Sequence, residues 1–178
     1  MGKLNKIIVF IVVVLVFVGA TIYSLHGQLL AEYCSFEVNP EITQLTQDKI
    51  SKSILSSGTK SVTISLTEQE MNSILQPVFS EQGFTVCMRL RAGSLDYFFS
   101  QNPFIWFTGN IVSIEDAPFL SFNSLNLWQI GLPSVAVQNA NDQLSKGFSQ
   151  YQELFSLTAE ITKIDSTDGT LNVTITKK

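Results

Sequence analysis

Hydrophobic and polar positions follow three rhythms along this chain. The first is unbroken: Ile7–Leu25 holds no charged side chain. As a helix it would span roughly 28 Å, about the thickness of a hydrocarbon core. The pattern predicts a transmembrane helix over residues 7–25 behind a short stub, residues 1–6. The second rhythm is strict alternation. In Ser61–Leu66, Val62, Ile64 and Leu66 alternate with Ser61, Thr63 and Ser65, the period of a half-buried strand. The third begins at Thr67. Thr67-Glu68-Gln69-Glu70 spells a capping box: the Thr67 hydroxyl can accept from the N–H of residue 70, and the Glu70 carboxylate can reach back to the N–H of residue 67. Met71, Ile74, Leu75 and Val78 then share one side of a helix expected to end near Gly83. A strand therefore passes into a helix with no loop between them.

The rest of the chain repeats these rhythms. Asn39-Pro40-Glu41 reads as an N-cap, a proline at the first helical position and an acid in the first turn. The helix it opens carries Ile42, Leu45, Ile50 and Ile54 and stops at Ser56-Ser57-Gly58. Four strands follow over 84–90, 94–100, 104–114 and 119–130, separated by Ala92-Gly93, Gln101-Asn102-Pro103 and Glu115-Asp116-Ala117-Pro118, in the manner of an antiparallel meander. Gly131-Leu132-Pro133-Ser134 breaks the strands and opens a long helix. Its apolar stripe is Val137, Ala140, Leu144, Phe148, Tyr151 and Phe155. A closing hairpin over 158–164 and 170–176 turns at Asp165–Gly169. The expected fold class is α+β: an N-terminal transmembrane helix, a juxtamembrane segment over 26–38, and an extracytoplasmic domain over 39–178. In that domain a curved antiparallel sheet packs around a long amphipathic helix.

Charge orients the apolar run. Lys3 and Lys6 precede it, the first charge after it is Glu32, and the next base is Lys49. This asymmetry places the N-terminus in the cytoplasm and the domain outside, at the cell membrane. Val18-Gly19-Ala20 also offers the small residues that a signal peptidase needs. Apolar residues continue past it through Ile22, Tyr23 and Leu25, so an uncleaved anchor is the expectation and cleavage after Ala20 the alternative. The 15 acidic residues outnumber the 11 basic ones, and no basic cluster occurs, which excludes nucleic acid as a partner. The two cysteines, Cys34 and Cys87, both fall beyond the anchor, where a disulfide is permitted. A Cys34–Cys87 bond and two small buried hydrophobes are the competing readings.

Residues for catalysis are scarce. The single histidine, His26, sits at the edge of the apolar run and reads as a solvated juxtamembrane side chain. With one histidine and two distant cysteines a metal site is poorly supplied, and no cofactor motif is present. Asp165–Gly169 looks like a calcium loop only until the twelfth position, where no glutamate stands. Instead the chain is rich in aromatics that are hard to place. In Tyr97-Phe98-Phe99 and Phe104-Ile105-Trp106-Phe107 alternation fails and both faces are apolar. Such a strand is buried twice or presents one face to a partner. The candidates for an apolar groove are Phe98, Trp106, Phe119, Trp128, Leu144 and Phe148, and few polar groups accompany them, which suits a lipid better than a sugar or nucleotide. The expected partners are membrane lipid and, alternatively, another membrane protein of the envelope.

The run Val62–Gln76, with Leu66, Thr67, Glu68, Met71, Asn72 and Leu75 at the matching positions, resembles bacterial envelope proteins of the YpmS and YceB type. So do Leu125–Leu144, a strand, a Gly-Leu-Pro break and a long helix, and the ending Ile161–Lys178. Those families are similar to the tubular lipid-binding group, in which a curved sheet wraps a long helix around an apolar tunnel. The resemblance implies that residues 135–157 are that helix, that no catalytic residues exist, and that the function is to bind lipid.

Overall fold

The computed structural model describes residues 3–36, 39–56, 60–113, 120–155, 159–167 and 169–177. Within these, the side chains of 3–9, 55–56, 147–155, 159 and 177 lie outside the description. Helix α1 (Lys3–Tyr33) opens the chain and contains an apolar stretch that is, by length and composition, enough to cross a membrane once. The juxtamembrane segment holds no break before Tyr33: the helix runs on through His26 because Leu25, Leu29 and Tyr33 repeat at four-residue spacing and pack onto the domain.

Helix α2 (Pro40–Ser56) begins where the sequence expects, with the Glu41 N–H donating to Asn39 Oδ1 at 2.9 Å. Its inward face differs from expectation. Leu45 is exposed, and Thr46 is buried with its hydroxyl turned back to the Ile42 carbonyl at 2.7 Å. Strand β1 (Ser61–Thr67) leads straight into α3 (Glu68–Ser80), and both bonds of the capping box form at Thr67 and Glu70. The meander follows as β2 (Thr85–Arg91), β3 (Ser94–Asn102), β4 (Ile105–Ser113) and β5 (Leu120–Leu127). A two-residue strand, β6 (Ile130–Gly131), folds back on β5. Helix α4 (Ser134–Phe155) and the hairpin β7 (Ala159–Thr167) and β8 (Thr170–Lys177) complete the order.

The antiparallel strands form two open sheets where the sequence suggests one. The larger runs β2-β3-β4-β5-β6; the smaller runs β1-β8-β7. Strand β1 is not an extension of the meander: it pairs along its length with β8, Ser61 opposite Thr176 and Thr67 opposite Thr170. The principal core joins the sheets through Ile64, Leu66, Ile164 and Leu171 of the smaller and Leu90, Leu95, Tyr97 and Ile111 of the larger, with Met71 of α3. A second cluster occupies the opposite face of the larger sheet, where Phe98 and Trp106 meet Leu29 of α1. Tyr97 and Phe98 point to opposite faces because successive strand residues alternate. The failed alternation in the sequence is thus a strand buried on both sides.

Candidate functional site

Helix α1 crosses the outer face of the larger sheet in a definite direction. His26 arrives beside Ser100, with Nε2 2.9 Å from Oγ and its ring 5.6 Å from that of Phe98. One turn and more later, Tyr33 stands 6.1 Å from Phe98, Glu32 pairs with Arg89 at 3.1 Å, and Cys34 is joined to Cys87 in a disulfide. The end of the sheet where α1 arrives, with the β3–β4 turn and the β5–β6 turn, is called the near end below. His26 is not the solvated side chain that its position suggests. Nor do its contacts make it a base: the Ser100 hydroxyl donates to the Asn102 carbonyl at 3.0 Å, so its proton is directed away from the imidazole, and Ser100 is buried.

Of the six groove candidates, the four that are described do not share one place. Phe98 and Trp106 are fully buried beneath α1, their rings 6.4 Å apart and inclined at 29°, and line no groove. The Trp106 indole N–H has no hydrogen-bond partner there. Trp128 lies exposed at the near end, its Nε1 donating to the Phe104 carbonyl at 2.8 Å. Leu144 is half-buried on α4. Phe119 lies outside the described residues, as does the Phe148 side chain.

A different set of aromatics does converge, on the inner face of the larger sheet at its near end. Phe99 of β3 stacks on Phe84 at 4.9 Å, meets the edge of Phe79 at 6.5 Å and neighbours Phe107 of β4 at 6.4 Å. All four are half-buried. Phe99 and Phe107 belong to the doubly apolar strands noted in the sequence and Phe84 opens the strand expected over 84–90, whereas Phe79, ahead of the turn after α3, lies outside the apolar positions read for that helix. Gly83, at φ +79°, lets the chain reverse there and returns Phe84 toward Phe79.

The strand beside this row, β5, faces α4 across a groove of about 430 Å³ lined by Asn123, Ser124, Leu125, Asn126, Gly131, Leu132, Ser134, Val137, Gln138 and Asn141. Amides and hydroxyls share its walls with a larger apolar surface, and no charged side chain lines it. Asn141 fixes α4 there by accepting from the Phe122 N–H at 2.6 Å and donating to its carbonyl at 3.0 Å. The groove thus sets the amides of α4 beside the aliphatic side chains Leu125, Leu132 and Val137. Among the described residues, no group of three or more His, Cys, Asp or Glu could hold a metal ion. Comparison with known proteins found no matching family model, no matching curated protein and no matching solved structure.

Proposed function

We propose that this chain is a non-enzymatic, single-pass membrane protein whose domain stands outside the cytoplasm and binds a lipid or another amphiphile. The observation that carries this reading is the half-buried row Phe79, Phe84, Phe99 and Phe107 at the near end of the inner face. With α1 as anchor, the near end is the end closest to the bilayer, so an acyl chain has a short path to the row. Each CH₂ moved from water onto such a surface contributes about 0.8 kcal/mol. The uncharged groove between β5 and α4, on the next strand, offers amides and hydroxyls to the polar part of the same molecule. The orientation rests on Lys3 and Lys6 ahead of the apolar run, and the Cys34–Cys87 disulfide suits an oxidising compartment.

A second reading, an interaction subunit of a membrane complex, is favoured by the solid packing of Phe98 and Trp106 under α1. A photoreactive fatty-acyl probe on the full chain in membranes separates the two. The first reading expects cross-links on residues 79–107 as well as on α1, which serves as the internal control. Labelling confined to α1, with a protein recovered in stoichiometric amount, would establish the second.

A further inference from the structure

We infer that the near end of the domain is itself a membrane-binding surface: Phe104, Ile105, Trp128 and Ile130 insert into the interface of the leaflet from which α1 emerges. The inference rests on α1 being a membrane anchor; it does not need the amphiphile site.

Position comes first. His26, the first residue after the apolar run, lies level with Ser100. Leu25, the last residue of the run, packs against the Phe98–Trp106–Leu29 cluster. From Ser100, β3 continues to Asn102 and then turns through Pro103 and Phe104, in the direction from which α1 comes. The turn therefore stands lower on α1 than His26, beside the final part of the apolar run. If that run fills the hydrocarbon core, the turn cannot hang clear of the bilayer.

Chemistry agrees with position. Phe104 is 52% exposed, Ile105 44%, Trp128 39% and Ile130 66%. The hydrogen bond from Trp128 to the Phe104 carbonyl ties the two turns into one surface. Between Asp96 and Glu115, and again between Asp116 and Asp142, the sequence has no charged residue, so neither turn brings a charge to be desolvated. Tyr23, exposed on α1 one turn before His26, adds a second amphipathic ring at this level. Tryptophan and tyrosine with neighbouring aliphatics are what a membrane–water interface favours.

The backbone points the same way. Trp128 and Gln129, between the paired residues Leu127 and Ile130, both have positive φ, 54° and 66°. Such a turn ordinarily uses asparagine and glycine, and a bulky residue there is strained. The strain holds a tryptophan at the tip of the hairpin, where burial of its exposed part in lipid would add to the bond it makes with Phe104.

The test uses the full chain reconstituted in phosphatidylcholine vesicles. The chain has two tryptophans, and Trp106→Phe leaves Trp128 as the only one. Should Trp106→Phe fail to fold, the difference between the unmodified chain and Trp128→Phe reports the same residue. Vesicles carrying bromine at shallow acyl positions should quench Trp128, and aqueous iodide should quench it less than in a water-exposed tryptophan peptide. Full quenching by iodide with none by brominated lipid, in protein that floats with the vesicles, overturns the inference while leaving the anchor intact. Protein that fails to float overturns the anchor reading, and this inference with it.

Discussion

Asn72 and Met88 exchange two hydrogen bonds: the amide Nδ2 donates to the Met88 carbonyl at 2.7 Å, and the Met88 N–H donates to Oδ1 at 2.8 Å. A side chain on α3 thereby takes the place of a neighbouring strand along β2, the first strand of the larger sheet. Glu68, one turn earlier, accepts from the Leu90 N–H at 2.8 Å in the same way. Asn141 does the equivalent for Phe122 on β5. Edge strands with free backbone groups invite pairing with other chains; helix side chains occupy such groups on β2 and on the stretch of β5 that β6 leaves unpaired. Asn72→Leu should destabilise the domain by about 1–3 kcal/mol, because two backbone groups lose their partners in a fully buried place. An unchanged chemical denaturation midpoint would contradict this.

Glu70 links the capping box to α2. Burial pushes its carboxyl up, but hydrogen bonds from Lys49 Nζ at 2.8 and 2.9 Å and from the Thr67 N–H at 2.8 Å outweigh burial and hold it below its ordinary value. A group depressed by folding stabilises the fold above its unfolded pKa, and that contribution is lost as pH falls through its folded value. Thermal melts of the parent and of Glu70→Gln should differ most near neutral pH and converge as pH falls below the ordinary carboxylate range. A difference that grows with acidity would refute the assignment.

Gly109 sits where β4 passes under Tyr97. A Cβ there would strike the Ser124 carbonyl and come within 2.6 Å of the Tyr97 hydroxyl and 2.8 Å of its ring. The Tyr97 hydroxyl donates to that same carbonyl at 3.3 Å, and burial raises its pKa. Gly109→Ala should cost about 1–3 kcal/mol, with a changed near-ultraviolet tyrosine signal. A wild-type melt and spectrum would show that the strands can part at no cost.

Gln129 carries a positive φ without being glycine. Gln129→Gly should stabilise the domain by about 1 kcal/mol by relieving the left-handed backbone, leaving Trp128 in place. A lowered melting temperature would show that the Gln129 side chain makes a compensating contact.

The Cys34–Cys87 bond closes a loop of sequence separation 53 and clamps the end of α1 to β2. Its removal by Cys34→Ser with Cys87→Ser should cost about 2–4 kcal/mol. Hydrogen exchange should rise over 25–33 and change less in β3 and β4. Uniform exchange throughout would mean that α1 docks independently of the bond.

Local features of this fold are plain in the sequence. The capping box at Thr67, the cap at Asn39 and the turns between β2 and β3 and between β3 and β4 are all short-range and are formed as spelled, while Glu115–Pro118 lies outside the described residues. Pairing of β1 with β8 is not, because Thr63 and Thr174 meet across a separation of 111 residues, and alternation says only that a strand has a partner somewhere. The site fared similarly. Tyr97-Phe98-Phe99 announces two apolar faces without saying which one α1 covers, so Phe98 and Trp106 look as available as Phe99 and Phe107. The packing of His26 is hidden in the sequence for another reason: Leu25, Leu29 and Tyr33 carry a docking stripe, but it is short and merges with an apolar run that needs no stripe.

Helix α1 has no hinge between its apolar run and the stripe clamped to the sheet. A spanning helix longer than the bilayer it meets leans over, and one that fits stands upright. Here the lean cannot be absorbed at the surface, since the rod and the domain turn together. With α1 as the proposed anchor, bilayer thickness would be converted into the attitude of the whole domain, as the angle of a mast is read from its flag.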